Sequence, residues 1–334
     1  MKRSIVMCTV LYLVINNALD VNSMRLKEPN RLKREDISGE GDPTECEQNP
    51  VPEPGQRISE QKCEEYKGII NRNRCHSGHK YDGAIAAEYP NLAAIGFEDK
   101  NVWKTRCGGS LISSKYVLVA AHCFSPESAS NKPLVIRFGD KNLLDENVVE
   151  AKIKRTFLHP EFTASKKYND IALLELEEEI TFNENVFPAC LWKEEDVSSL
   201  GKFANVTGWS QVKPDEVETT AHPKRASVKI VDKATCEERL APVCSGKCSI
   251  KETQICTENF FAALAKTGQW EEGNQCWGYS GDPLQVRISS SSSGSLNYVI
   301  GVSSFGARCA SDTVPDVYTK VSSYLNWIES IVWS

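Results

Sequence analysis

Apolar positions are spread unevenly along this chain. Met1-Lys2-Arg3 is followed by a largely apolar run over 5–15 and then by Asn16-Asn17. A short cationic start, an apolar stretch too short to span a bilayer and a polar end describe a secretory signal peptide. It is expected over 1–23, with cleavage between Ala18 and Ser23. Residues 35–80 are rich in Glu, Pro, Gly and Lys and show little apolar periodicity. That is too little apolar material for a separate core, so 24–80 is expected to be a loop-rich pro-region stapled by disulfides. From about Ala84 the texture changes: short β-prone runs alternate with turn signals at 92–97, 110–112, 116–120, 134–138, 151–157, 171–176, 203–209, 226–231 and 298–303. Such spacing predicts an all-β sandwich or barrel, and 81–334 is long enough for two packed barrels. Helical spacing is confined to 233–240 and to 321–333, where Val321, Tyr324, Leu325, Ile328 and Val332 share a face. The serine-rich stretch 289–295 reads as a hairpin loop.

Composition narrows the class. Of 13 cysteines, Cys8 lies in the leader and 12 remain, an even number that suits disulfides in a secreted protein. A zinc site begun by Cys244 and Cys248 lacks a second cluster, so no metal and no cofactor are expected. Asp140, Asp145, Glu146 and Glu150 offer carboxylates for calcium, but a solvated loop is the favoured reading. The net charge of −6, mixed in sign, argues against nucleic acid as partner. No stretch after the leader is long and apolar enough for a bilayer, so a secreted, extracellular protein without membrane contact is expected. The basic cluster ending in Arg31-Leu32-Lys33-Arg34 reads equally as a solvated run or a convertase cleavage site. Asn205-Val206-Thr207 is the one N-glycosylation sequon, and it falls in an expected strand.

Candidate chemistry centres on Cys276-Trp277-Gly278-Tyr279-Ser280-Gly281-Asp282-Pro283-Leu284, a glycine-flanked turn carrying a serine. A serine hydroxyl is a weak nucleophile until a histidine takes its proton, and that histidine needs a carboxylate to fix its tautomer. His76, His79, His159 and His222 sit among polar or turn residues and read as surface groups. His122 instead follows the apolar run 116–121, and Asp170 opens the apolar run 171–174. Taken singly, a His or Asp at a strand end is more often a structural cap than a catalyst.

Together, Cys107-Gly108-Gly109-Ser110-Leu111-Ile112, Ala120-Ala121-His122-Cys123, Asn169-Asp170-Ile171-Ala172-Leu173-Leu174, Thr207-Gly208-Trp209 and the Ser280 segment occur in one family's order. From about Ala84 to its end the chain resembles the chymotrypsin/trypsin-like serine proteases. Within them it is similar to the arthropod clip-type proteases and their noncatalytic homologues, with 57–66 as a degenerate clip-like segment. The resemblance implies two antiparallel β-barrels with a C-terminal helix, His122 as general base, Asp170 as its orienting carboxylate and Ser280 as nucleophile. It places the oxyanion hole at the backbone N–H groups of Gly278 and Ser280. It also implies disulfides Cys107–Cys123, Cys236–Cys256, Cys276–Cys309 and Cys75–Cys190. Cys46, Cys63, Cys244 and Cys248 are left; 46–63 with 244–248 is simplest, but four cysteines allow three connectivities.

The same resemblance exposes departures. Family members are switched on when a new N-terminal ammonium pairs with an aspartate just before the nucleophile; that position here is Tyr279. The stretch His79 to Ile85 has no Arg-Ile or Lys-Ile bond to cut. Asp282 replaces a glycine two residues after Ser280, adding a side chain and a charge. The base of the specificity pocket is Asn274, Asp316 stands where a wall glycine is usual and is expected to narrow the pocket, and Ser304 to Gly306 offer a strand for substrate pairing. The loop between Cys256 and Cys276 is long and carries Phe260-Phe261. These features favour a secreted homologue that binds a protein of a protease cascade, as in arthropod clotting, melanisation or venom, and scarcely cleaves. The alternative is an active secreted endopeptidase, favoured by the survival of all three triad residues.

Overall fold

The computed structural model describes residues 53–77, 87–99, 102–125, 134–139, 142–145, 148–209, 223–244, 249–268, 279–290, 294–306 and 314–334. Strands β1 (Leu92–Asp99), β2 (Val102–Leu111), β3 (Tyr116–Val119), β4 (Val135–Phe138), β5 (Val149–Leu158) and β6 (Ala172–Leu176) form the first sheet. Their order β1-β2-β3-β6-β5-β4 closes on itself through β1 and β4, and every pairing is antiparallel. Strand β6 is buried along its whole length, which explains why it reads as a continuous apolar run. Ile95, Leu118, Ile136, Leu173 and Leu174 belong to one buried apolar cluster with essentially no exposure.

The second sheet contains β7 (Cys190–Leu191), β8 (Phe203–Gly208), β9 (Lys224–Val231), β10 (Gln254–Thr257), β11 (Pro283–Ser290), β12 (Gly294–Phe305) and β13 (Asp316–Lys320). The ring β11-β8-β9-β10-β13-β12 closes through the β11–β12 pairing, and β7 joins β12 in parallel at its edge. The expected all-β architecture of two barrels is therefore observed. Asn205 lies half-buried on β8, paired with Ser227 on one side and Gln285 on the other.

Helices α2 (Lys233–Leu240) and α4 (Leu325–Val332) fall where helical spacing predicts them. Asp232 caps α2 by accepting from the Thr235 amide at 2.9 Å, which supplies one of the acceptors a helix start lacks. A 3₁₀ turn over Val321–Tyr324 leads into α4, and Val321, Leu325 and Ile328 bury its apolar face against the first barrel.

Within the 24–80 segment expected to be loop-rich, a 20-residue helix, α1 (Ile58–Ser77), is found instead of loop. Glu60 reaches back to the Arg57 amide at 3.1 Å and fixes the helix start. Cys63, Tyr66 and Ile70 form a narrow buried stripe at i, i+3 and i+7, packed against Phe187 and Leu296. Cys190 is bonded to Cys63, with Cα atoms 5.2 Å apart. This corrects the expected Cys75–Cys190 bridge and removes the 46–63 pairing. Cys75 lies twelve residues further along α1, roughly 18 Å at helical rise, so one cysteine alone can meet Cys190. Tyr66 Oη donates to the Ile112 carbonyl at 2.9 Å, and Arg57 forms a two-pronged pair with Glu329 of α4 at 3.1 and 2.9 Å. Any cut between α1 and β1 would therefore leave α1 tethered covalently. Cys63→Ser is expected to cost about 2–5 kcal/mol, read as a lower urea midpoint under non-reducing conditions.

Candidate active site

The pairing of β3 with β6 assembles the first half of the site. Val119 opposes Ala172 in this antiparallel register, so the residues just beyond each strand end, His122 and Asp170, meet. His122 sits in a 3₁₀ turn, Ala121–Phe124, that follows β3. Asp170 follows Asn169, whose positive φ of 52° suits asparagine in a turn. Asn169 is tied to the Glu161 carbonyl at 2.9 Å and receives the Tyr324 hydroxyl at 2.8 Å.

Asp170 is completely buried, a position a carboxylate tolerates only when its oxygens are satisfied. Oδ1 accepts from the His122 amide at 2.8 Å, and Oδ2 lies 2.7 Å from His122 Nδ1 and accepts the Ser304 hydroxyl. Thr319 Oγ1 holds the Asp170 carbonyl at 2.9 Å. With Nδ1–H donated to Asp170, His122 Nε2 carries the lone pair and can accept a proton. Ser304, expected on the substrate strand, thus also steadies this carboxylate.

Ser280 opens the turn into β11, and that turn is strapped to both barrels. The Ser280 carbonyl accepts from Gly108 of β2 at 2.8 Å, and the Gly281 amide donates to Ser303 of β12 at 2.9 Å. Gly281 has φ +83°, and a Cβ there would lie 2.4 Å from the Gly108 oxygen, so only glycine fits. Cys123, next to His122, places its sulfur 3.9 Å from the Ser280 carbonyl oxygen. Ser280, His122 and the buried Asp170 are thereby brought to one junction of the two barrels. Residues 58–328 match the trypsin family. The chain belongs to that family.

Curated relatives agree with this assignment. The chain is 30% identical to serine protease snk of Drosophila melanogaster over 83% of its own length and 66% of the relative's. It is 32% identical to venom serine protease Bi-VSP of Bombus ignitus over 73% and 65%. Phenoloxidase-activating factor 1 of Holotrichia diomphalia is 26% identical over 74% and 68%. The chain thus spans about two thirds of these relatives, and slightly less for snk and Bi-VSP.

Tyr279 immediately precedes Ser280. Its ring is buried, 4.2 Å from Phe260 and 5.2 Å from Phe261 between centroids, in edge-to-face arrangements. Both phenylalanines belong to α3 (Phe260–Lys266), a helix the sequence reading took for part of a long loop. Its signal was present: Asn259 caps it through the Ala262 amide at 3.0 Å, ahead of Ala- and Leu-rich helix formers. Asp316 Oδ2 accepts from the Phe260 amide at 2.7 Å, and Oδ1 accepts from Asn259 Nδ2 at 3.2 Å. Asp316 therefore anchors α3, while lying so close to Gly306 that a Cβ there would be 1.9 Å from Oδ1. Burial, partly offset by the donors from Phe260 and Asn259, pushes its carboxyl up to about 7.

Asp282 lies two residues beyond Ser280, at the head of β11. Its carboxyl is fully buried and neither oxygen has a hydrogen-bond partner. It occupies space vacated by two glycines: a Cβ on Gly108 or Gly208 would lie 1.4 Å from Oδ1 or 1.6 Å from Oδ2. Burial without a partner holds it well above the ordinary carboxylate range. Asn274, Gly278 and the Cys276–Cys309 bridge lie outside the described residues, as do Asp140 and Glu146. Of the other candidates, Cys107–Cys123 and Cys236–Cys256 are bonded as expected, Cys244 is in a disulfide, and Glu150 pairs with Arg137 at 2.9 Å.

Proposed function

We propose that this chain is a secreted trypsin-family homologue that binds a polypeptide of an arthropod protease cascade and scarcely cleaves it. In this reading His122 is the base, Asp170 its orienting carboxylate, Ser280 the nucleophile, and the Gly278 and Ser280 amides the oxyanion donors. The carrying observation is Tyr279, packed between Phe260 and Phe261 where a trypsin-family precursor keeps the aspartate that receives its new N-terminus. A phenol in an aromatic cluster offers an incoming ammonium no counter-charge, so nothing couples N-terminal cleavage to alignment of the oxyanion donors. Loss of one such donor costs about 10²–10³ in rate. The names of phenoloxidase-activating factor 1 and the bee venom protease support a cascade or venom setting. Secretion, a pro-region over 24–80 and a glycan on Asn205 belong to the same proposal.

The Asp170–His122 pair supports a second reading, an active endopeptidase, because all its hydrogen bonds are in place. Ser280→Ala separates the two. In a haemolymph melanisation or clotting assay with added purified protein, the variant is expected to act as strongly as the wild type. Loss of the effect with Ser280→Ala would establish the endopeptidase.

A further inference from the structure

A cavity of about 170 Å³ lies between α1 and the corner where β7 meets β12. Its size suits one side chain, being well below the ~300 Å³ at which small-molecule sites usually begin. Trp192 and Tyr298 line it with rings at 80° and centroids 6.1 Å apart. The buried Leu191 and the Cys63 half of the disulfide supply further apolar wall. The charges around it do not cancel. Lys193 is held by Glu60, and Glu64 is paired with Lys67 at 2.6 Å. Glu194 remains, 56% exposed, with its nearest cation the already engaged Lys193 at 3.9 Å. An apolar, aromatic channel with one surplus carboxylate complements a long aliphatic stem that ends in a cation.

We propose that this cleft binds one lysine or arginine side chain of a partner polypeptide. The site is separate from the nucleophile turn: Tyr298 precedes Ser303 by five residues on β12, roughly 17 Å of extended strand. It is built jointly by α1 and the second barrel, which the Cys63–Cys190 bond ties together. It stands whether or not Ser280 cleaves.

Ligand-observed NMR on the full secreted protein tests this with N-acetyl-arginine amide and its neutral isostere N-acetyl-citrulline amide. The arginine compound is expected to bind with Kd on the order of 1 mM. Citrulline and the Glu194→Gln variant should each weaken binding by about five-fold, and Trp192→Leu by about ten-fold. Glu194 is exposed, so its variant reports binding even if Trp192→Leu folds poorly. Equal binding of citrulline, or arginine binding untouched by Glu194→Gln, would overturn the proposal. So would the absence of saturable binding well above 1 mM.

Discussion

Tyr279→Asp, which restores the family's residue, is expected to destabilise this protein by at least about 3–5 kcal/mol. The substitution removes a ring packed edge to face on Phe260 and Phe261 and leaves a carboxyl in an apolar cluster with Ala204, Val206 and Leu264. Large-to-small changes in such cores cost that much before the unpaired acid is counted. In a domain of this size each kcal/mol moves Tm by about 2–4 °C, so a fall of roughly 6–20 °C should appear in thermal denaturation. Phe260→Ala should cost a similar amount. The two changes should be strongly non-additive when combined, because they empty the same cluster. A Tyr279→Asp variant as stable as the wild type would mean that the aromatic cluster does not hold this turn.

The second large effect is on pH dependence. Asp316 and Asp282 both have carboxyls raised by burial, Asp316 to about 7, so the folded chain keeps protons that the unfolded chain releases near 3.8. Stability is then greatest below that unfolded value for these groups and declines as pH rises through the folded one. For Asp316 the decline between about pH 4 and pH 7 is on the order of 4 kcal/mol. Asp282 extends it to higher pH. Glu175 acts in the opposite sense: hydrogen bonds from Lys154 and Arg155 hold its carboxyl low, so its contribution is lost as pH falls below the ordinary range. An optimum in mildly acidic solution follows. Urea midpoints should be higher at pH 5 than at pH 7.5, and Asp316→Asn should flatten the difference. A midpoint that rises over that interval would contradict the raised carboxyls of these two acids.

Much of the fold was legible because its signals are local. The run into His122 and the run out of Asp170 are strand patterns, and antiparallel pairing of β3 with β6 brings their ends together. The 3₁₀ turn over Val321–Tyr324 and helix α4 together show one face in five spaced apolar residues. Helix α1 was missed because, among its described residues, Cys63, Tyr66 and Ile70 form a sparse buried apolar stripe, and their partners Phe187, Cys190 and Leu296 lie far away in sequence. Helix α3, seven residues long, is shorter than the window in which helical periodicity can be told from a buried loop. The burial of Asp282 depends on Gly108 and Gly208, neither of which is near it in the chain, so no local reading could show that its carboxyl is enclosed.

The most direct measurement is the second-order rate at which a fluorophosphonate modifies Ser280 in the purified protein, intact and after limited proteolysis. With an aromatic cluster holding the turn, that rate should lie at least about 10²–10³ below that of an active trypsin-family enzyme and should not rise on cleavage. Modification at an enzyme-like rate, abolished by Ser280→Ala, would contradict it.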